Sequence, residues 1–177
     1  MTSEADPLTL VLVGPMAAGK TSVGRRVARR LGVPFVDTDK RIVAAHGPIP
    51  VIFTEHGEAH FRDLERVEVL EALSEARSEG GVISLGGGAV TQADTRDLLK
   101  DQPVVFLTVS ADAVADRLRG GNRPLLAGGE DPVERWKRIF EERRRWYAEV
   151  ASTTFDTSRR PMQKIADEIV AWRREQR

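Results

Sequence analysis

The chain has 177 residues, which suits one domain and is long enough for a substantial hydrophobic core. Its 27 basic and 27 acidic residues cancel, so there is no overall positive field to draw nucleic acid, and any anion site must be a local cluster. With no cysteine and only three scattered histidines, disulfides and thiolate sites are excluded and a histidine-rich metal site is not expected.

The opening MTSEADP is polar and acidic, without the basic start and apolar core of a signal peptide. No apolar run approaches the roughly 18 residues needed to cross a membrane. The expected location is cytoplasmic, with no membrane partner. Leu8 to Val13 is a short apolar, β-branched run that fits a strand buried on both faces. Gly14-Pro-Met-Ala-Ala-Gly19-Lys20-Thr21 follows with Walker A spacing, and a helical pattern runs from Lys20 to Leu31. A strand before and a helix after are the context that this phosphate loop requires. Its glycines let backbone N–H groups turn toward phosphates, and the helix N-terminus adds positive potential. Lys20 is expected to reach the β- and γ-phosphates of ATP, and Thr21 to ligate Mg²⁺.

Val33 to Val36 reads as a second strand ending at Asp37, and Asp39 to Ala45 as a short helix. In extended backbone Asp37 and Asp39 point to the same side. Phosphoryl transfer needs a metal ligand and a group to orient or deprotonate the attacking hydroxyl. Asp37 is assigned to the Mg²⁺ shell and Asp39 to the hydroxyl; helix N-capping by one of them is the competing role. Gly47 to Pro50 is expected to break the chain before a long helix from about Glu58 to Ala76. On that helix Arg62 and Glu65 share a stripe with Val69, Ala72, Leu73 and Ala76. Arg62 either pairs internally with Glu65 or serves a substrate anion.

Val82 to Leu85 is a third strand, closed by Gly86, Gly87 and Gly88, where a ring-shaped substrate can approach the backbone closely. A flexible connection is the plainer alternative. No aspartate stands near Ser84, where a Walker B strand carries one, which agrees with Asp37 taking the metal role. Thr91 to Leu99 reads as a helix, Val104 to Val109 as a fourth strand, and Ala111 to about Leu118 as a helix. The Gly-rich stretch that follows suits a hinged lid whose closure would bring Arg123 to the transferring phosphate, with a mobile surface loop as the plainer alternative. Arg117, just before it, either stacks on adenine or lies on the surface.

A helix spans Pro132 to Val150, with Trp136, Phe140, Tyr147 and Val150 in one stripe. Arg143 lies on that stripe and needs a partly buried anion, while Arg144 and Arg145 belong to solvated faces. The anion is either an internal carboxylate or a substrate carboxylate. Thr153 to Asp156 is read as an edge strand and Pro161 to Trp172 as a last helix, packed on the core through Ile165, Ile169 and Trp172. Strands alternating with helices imply a parallel sheet with ligands at the carboxyl ends of its strands.

Taken together, GPMAAGKT, VDTD, GExxFRxLE (residues 57–65), SLGGGAV, NRPLL (residues 122–126) and RRRWY resemble the shikimate kinases in order and spacing, from about Leu8 to Ala171. The resemblance implies a three-layer α/β/α P-loop fold of the nucleoside monophosphate kinase type, with a five-stranded parallel sheet ordered 2-3-1-4-5 and a mobile lid. It implies a single kinase domain over residues 1–177, with the lid at about 119–131 and a substrate-binding segment at about 38–65. ATP with Mg²⁺ is then expected to phosphorylate the 3-hydroxyl of shikimate, and the chain to act as a monomer. The nucleotide set becomes Gly14, Ala17, Ala18, Gly19, Lys20, Thr21, Ser22, Arg117, Arg123 and Arg160. The substrate set becomes Asp39, Arg62, Glu65, Gly86, Gly87, Gly88 and Arg143, with Asp39, Lys20 and Arg123 catalytic and Thr21 and Asp37 on the metal. The chain departs from the family pattern at Ala17, where glycine is usual, and at Arg145-Trp146, where a proline often stands. Arg143 is aligned by its four-residue spacing from Tyr147.

Overall fold

In the computed structural model, which describes residues 7–119 and 129–176, the first apolar run is strand β1 (Thr9–Val13), buried at every position. Leu10 and Leu12 pack into one core cluster, Val11 and Val13 into another, as the two-residue period of a strand demands. An apolar residue on both faces requires helices on both sides. Strands β2 (Phe35–Asp37), β3 (Gly81–Ser84), β4 (Val104–Thr108) and β5 (Thr153–Asp156) complete a sheet ordered β2-β3-β1-β4-β5. Every neighbouring pair is parallel. This is the order the resemblance implies, with β5 on the edge.

Helices α1 (Lys20–Leu31), α5 (Ala111–Arg119) and α7 (Met162–Glu175) cover one face through Val23, Val27, Val114, Ile165 and Ile169. The other face is covered by the second arm of α3 (Ile49–Glu79), by α4 (Ala93–Leu99) and by the end of α6 (Pro132–Val150). Helix α2 (Thr38–His46) closes a third cluster, in which Ile42 meets Ile52 and Phe61 of α3.

Three expectations about elements change. The break at 47–50 is shorter than expected: Gly47 turns with φ 88°, and α3 begins at Ile49 with Pro50 in its first turn. A proline there lacks only an N–H that has no helical partner anyway. The arm from Ile49 to His56 is an addition to the expected helix. It joins the long arm at Gly57, whose φ of 84° and ψ of 169° interrupt the helix. The expected helix from Thr91 instead starts as a 3-10 turn (Ala89–Thr91) before α4. No described helix is long and apolar enough to cross a membrane.

Candidate active site

The carboxyl ends of β1, β2 and β3 run directly into the loop 14–19, the start of α2 and the glycine triplet. The loop leaves β1 through Gly14 and reaches α1 through Gly19, at φ 149° and 88°. Between them Ala17 is the one non-glycine residue with positive φ among those described, at 67°. A side chain in that left-handed region costs about 1–2 kcal/mol. Lys20 donates from Nζ to the Gly14 carbonyl at 2.7 Å and to the Pro15 carbonyl at 3.0 Å. Burial pushes its pKa down to about 8, against the opposing pull of Asp39 and Asp37.

Three consecutive loop carbonyls are held from outside the loop. Trp136 Nε1 of α6 donates to Met16 at 2.8 Å, Arg117 Nη1 of α5 to Ala17 at 2.6 Å, and Thr157 Oγ1 after β5 to Ala18 at 2.8 Å. Arg117 also donates to the Thr157 carbonyl and, at 3.3 Å, to Thr157 Oγ1. Its guanidinium edge is therefore part of the loop's support and not a free surface charge, while these in-plane bonds leave its faces open. Ser22 Oγ accepts from Arg26, and Arg160 pairs with Glu168. Arg123 and the rest of the lid stretch 120–128 lie outside the described residues.

Asp37 holds two bonds at once. Its Oδ2 accepts from Thr21 Oγ1 at 3.1 Å and its Oδ1 from the Lys40 N–H at 3.2 Å. The helix cap is thus Asp37, not Asp39, and Asp39 lies in the first turn of α2 instead of in extended backbone. The Thr21 hydroxyl and Asp37 carboxylate are hard oxygen donors side by side at the head of the loop. They fit Mg²⁺, which takes one or two protein oxygens and fills its shell with phosphate and water.

On the far side of Lys20, Asp39 Oδ1 is buried and accepts no hydrogen bond from the protein. Burial raises the Asp39 pKa, and the Asp37 charge adds to that; Lys20 and Arg62 oppose it. Arg62 and Glu65 are also buried, and Arg62 Nη1 donates to Glu65 Oε2 at 2.7 Å. The internal pair therefore exists, yet it leaves Arg62 Nε buried without an acceptor. Burial lifts the Glu65 pKa to about 7 although Arg62 pulls it down.

The glycine triplet is where these groups meet. A Cβ on Gly86 would lie 2.5 Å from Asp39 Oδ1 and 2.7 Å from Glu65 Oε1, and one on Gly88 would run into the Arg62 guanidinium. The close approach expected of a ligand is already made by the protein's own side chains. The Gly87 carbonyl accepts from the Tyr147 hydroxyl at 2.5 Å. One turn before Tyr147, Arg143 is half-buried, and its charge acts on Lys20, Glu65 and Tyr147 alike. Burial raises the Tyr147 pKa to about 12, with Arg143 opposing. By contrast Arg144 and Arg145 are exposed, the first 3.8 Å from Glu141 and the second over the Trp146 ring.

The structure so brings together Lys20, Thr21, Asp37, Asp39, Arg62, Glu65, the glycine triplet and Arg143 at one end of one sheet. Sequence reasoning missed Trp136, Thr157 and the Tyr147 hydroxyl as supports. For Trp136 a signal existed, because an indole N–H on a buried stripe needs an acceptor.

Comparison with known proteins agrees with this arrangement. The family model described as shikimate kinase matches residues 16–174. A shikimate kinase of Salinispora tropica is 47% identical over 163 residues, which cover 91% of this chain and 95% of the relative. The structure of shikimate kinase from Acinetobacter baumannii in complex with shikimate superposes with a TM-score of 0.85 at 37% identity, covering 96% of this chain and 94% of that one. A gluconokinase from Sinorhizobium meliloti shares the fold, with a TM-score of 0.62 at 23% identity over 98% of this chain and 95% of that one.

Proposed function

The chain belongs to the shikimate kinase family, and on that premise we propose how its residues divide the transfer of the γ-phosphoryl group from ATP to the 3-hydroxyl of shikimate. The observation that carries this division is the buried Oδ1 of Asp39, which has no donor from the protein. A buried acceptor left unpaired is costly, and a substrate hydroxyl would supply the missing donor once the Asp39 side chain turns to meet it. A raised pKa also suits Asp39 to take up the proton as the hydroxyl attacks.

The glycine-rich loop holds the phosphates through its N–H groups, and Lys20 leaves the Gly14 and Pro15 carbonyls to meet them. Thr21 and Asp37 hold Mg²⁺, which supplies charge neutralisation on the transferring phosphate. Arg62, kept in place by Glu65, offers its guanidinium to the substrate carboxylate, and Arg143 meets the same carboxylate from α6. Gly86 to Gly88 form the floor. Most of the rate enhancement then comes from positioning and charge, as phosphoryl transfer requires.

A coupled assay of ADP release with shikimate and with gluconate as acceptors tests this reading. Turnover is expected with shikimate alone. Turnover of gluconate without shikimate would sink it.

A further inference from the structure

The loop's carbonyls at 16, 17 and 18 each receive one external donor, from Trp136, Arg117 and Thr157. In a planar trans peptide the carbonyl of one residue and the N–H of the next point opposite ways. Pulling these three carbonyls outward therefore turns the N–H groups of Ala17, Ala18 and Gly19 to the inner side of the loop. The Ala18 N–H also reaches the Pro15 carbonyl, at 3.2 Å, within the turn. Ala17 sits between the two peptides held by Trp136 and Arg117, and it has the left-handed φ of 67° that an alanine resists. Freed from either donor, it would gain by rotating to negative φ and carrying a phosphate-facing N–H away.

We propose that Trp136 and Thr157, with Arg117 between them, are positioning residues for the nucleotide, which hold the phosphate loop in the conformation that Ala17 disfavours. The inference rests on the loop receiving the nucleotide's phosphates, as proposed above. Two of the three donors stand on α5 and α6, the helices on either side of residues 120–128 in the chain, so the loop is gripped from both flanks of that segment. Trp136 suits the role because its ring is fixed by stacking on Phe140 at 5.1 Å, so the donor cannot swing away.

The test is a cycle of Trp136→Phe and Ala17→Gly, read by ADP binding in calorimetry and by the separate KM values for ATP and shikimate. Phenylalanine keeps an aromatic ring beside Phe140 but removes the donor together with the second ring of the indole, so Thr157→Val, which keeps its volume, is read beside it. Loss of one such hydrogen bond is expected to weaken ADP binding about five- to tenfold. The shikimate KM should stay within about twofold, since no acceptor-side group is touched. In the Ala17→Gly background the same Trp136→Phe change should cost no more than about twofold, because glycine accepts positive φ without strain. Thr157→Val supplies the second reading and replaces the first if Trp136→Phe does not fold. An equal loss with and without Ala17→Gly would overturn the proposal, as would unchanged ADP affinity in Trp136→Phe or, where that variant does not fold, in Thr157→Val. If the unaltered chain fails to bind ADP at all, the assignment of the loop itself falls.

Discussion

The guanidinium of Arg62 lies over Gly88 so closely that a Cβ there would come within 2.7 Å of its central carbon. Gly88 has an ordinary φ of −96°, so glycine is needed for space and not for backbone freedom. Gly88→Ala should therefore push the Arg62 head group aside while the fold survives. The shikimate KM is expected to rise about 10- to 100-fold, the worth of a charge-assisted bond, with the ATP KM unchanged. Steady-state kinetics with each substrate varied in turn checks this, and a selective rise in the ATP KM would contradict it.

Asp39→Asn removes the carboxylate proposed to accept the hydroxyl proton but keeps the shape of the side chain. The expected loss in kcat is about 10²- to 10⁴-fold, with ADP binding retained. Because burial raises the Asp39 pKa, the acid limb of the wild-type kcat profile should lie above the ordinary aspartate value of 3.8. That limb should vanish in the variant. Near-normal turnover by Asp39→Asn would refute its role as a base.

Glu65 makes stability depend on pH. Its folded pKa of about 7 lies above the ordinary 4.5, so between these values the folded chain holds a proton that the unfolded chain has lost. Stability contributed by this proton is present below pH 4.5 and lost as pH rises to 7. The fall should be about 1–3 kcal/mol across that window, and Glu65→Gln should flatten it. Urea unfolding of both forms from pH 4.5 to 7.5 measures the difference; parallel curves would show that Glu65 is not the group responsible.

Arg143→Ala should weaken shikimate about 10- to 100-fold through loss of a charge-assisted bond. Arg145→Ala, on an exposed face of the same helix, should change it less than about twofold, as expected of a solvated charge. If the two variants behave alike, the carboxylate is bound elsewhere.

Tyr147→Phe leaves the Gly87 carbonyl without its donor, at the proposed floor of the acceptor site. Stability is expected to drop by about 1 kcal/mol in chemical denaturation. The shikimate KM should rise several-fold while the ATP KM holds. An unchanged shikimate KM would confine Tyr147 to packing.

Much of this was legible in the sequence because it depends on short-range pattern. The doubly apolar run at 10–13, the loop spacing at 14–21 and the stripe from Arg62 to Ala76 each fix a face or a turn locally. The roles of Gly86 and Gly88 were half legible: the need for space could be read, but not that Asp39, Glu65 and Arg62 would fill it. The choice between Asp37 and Asp39 as helix cap turned on a small shift of phase, finer than periodicity resolves. The support of Arg117 for the loop was out of reach, because its partners stand 100 and 40 residues away and meet it only once the sheet is assembled.

The sheet order has a further consequence. With β1 in the middle, the loop proposed to hold ATP and its supports Arg117 and Thr157 hang from the β1-β4-β5 side, while Asp39, Glu65, Arg62 and the glycine triplet, proposed for the acceptor, hang from the β2-β3 side. The two groups thus stand on opposite sides of one central strand. Asp37, which accepts from Thr21 and caps α2, and α6, which sends Trp136 to one half and Arg143 and Tyr147 to the other, serve both halves at once, and it is there that a change of acceptor meets its constraint.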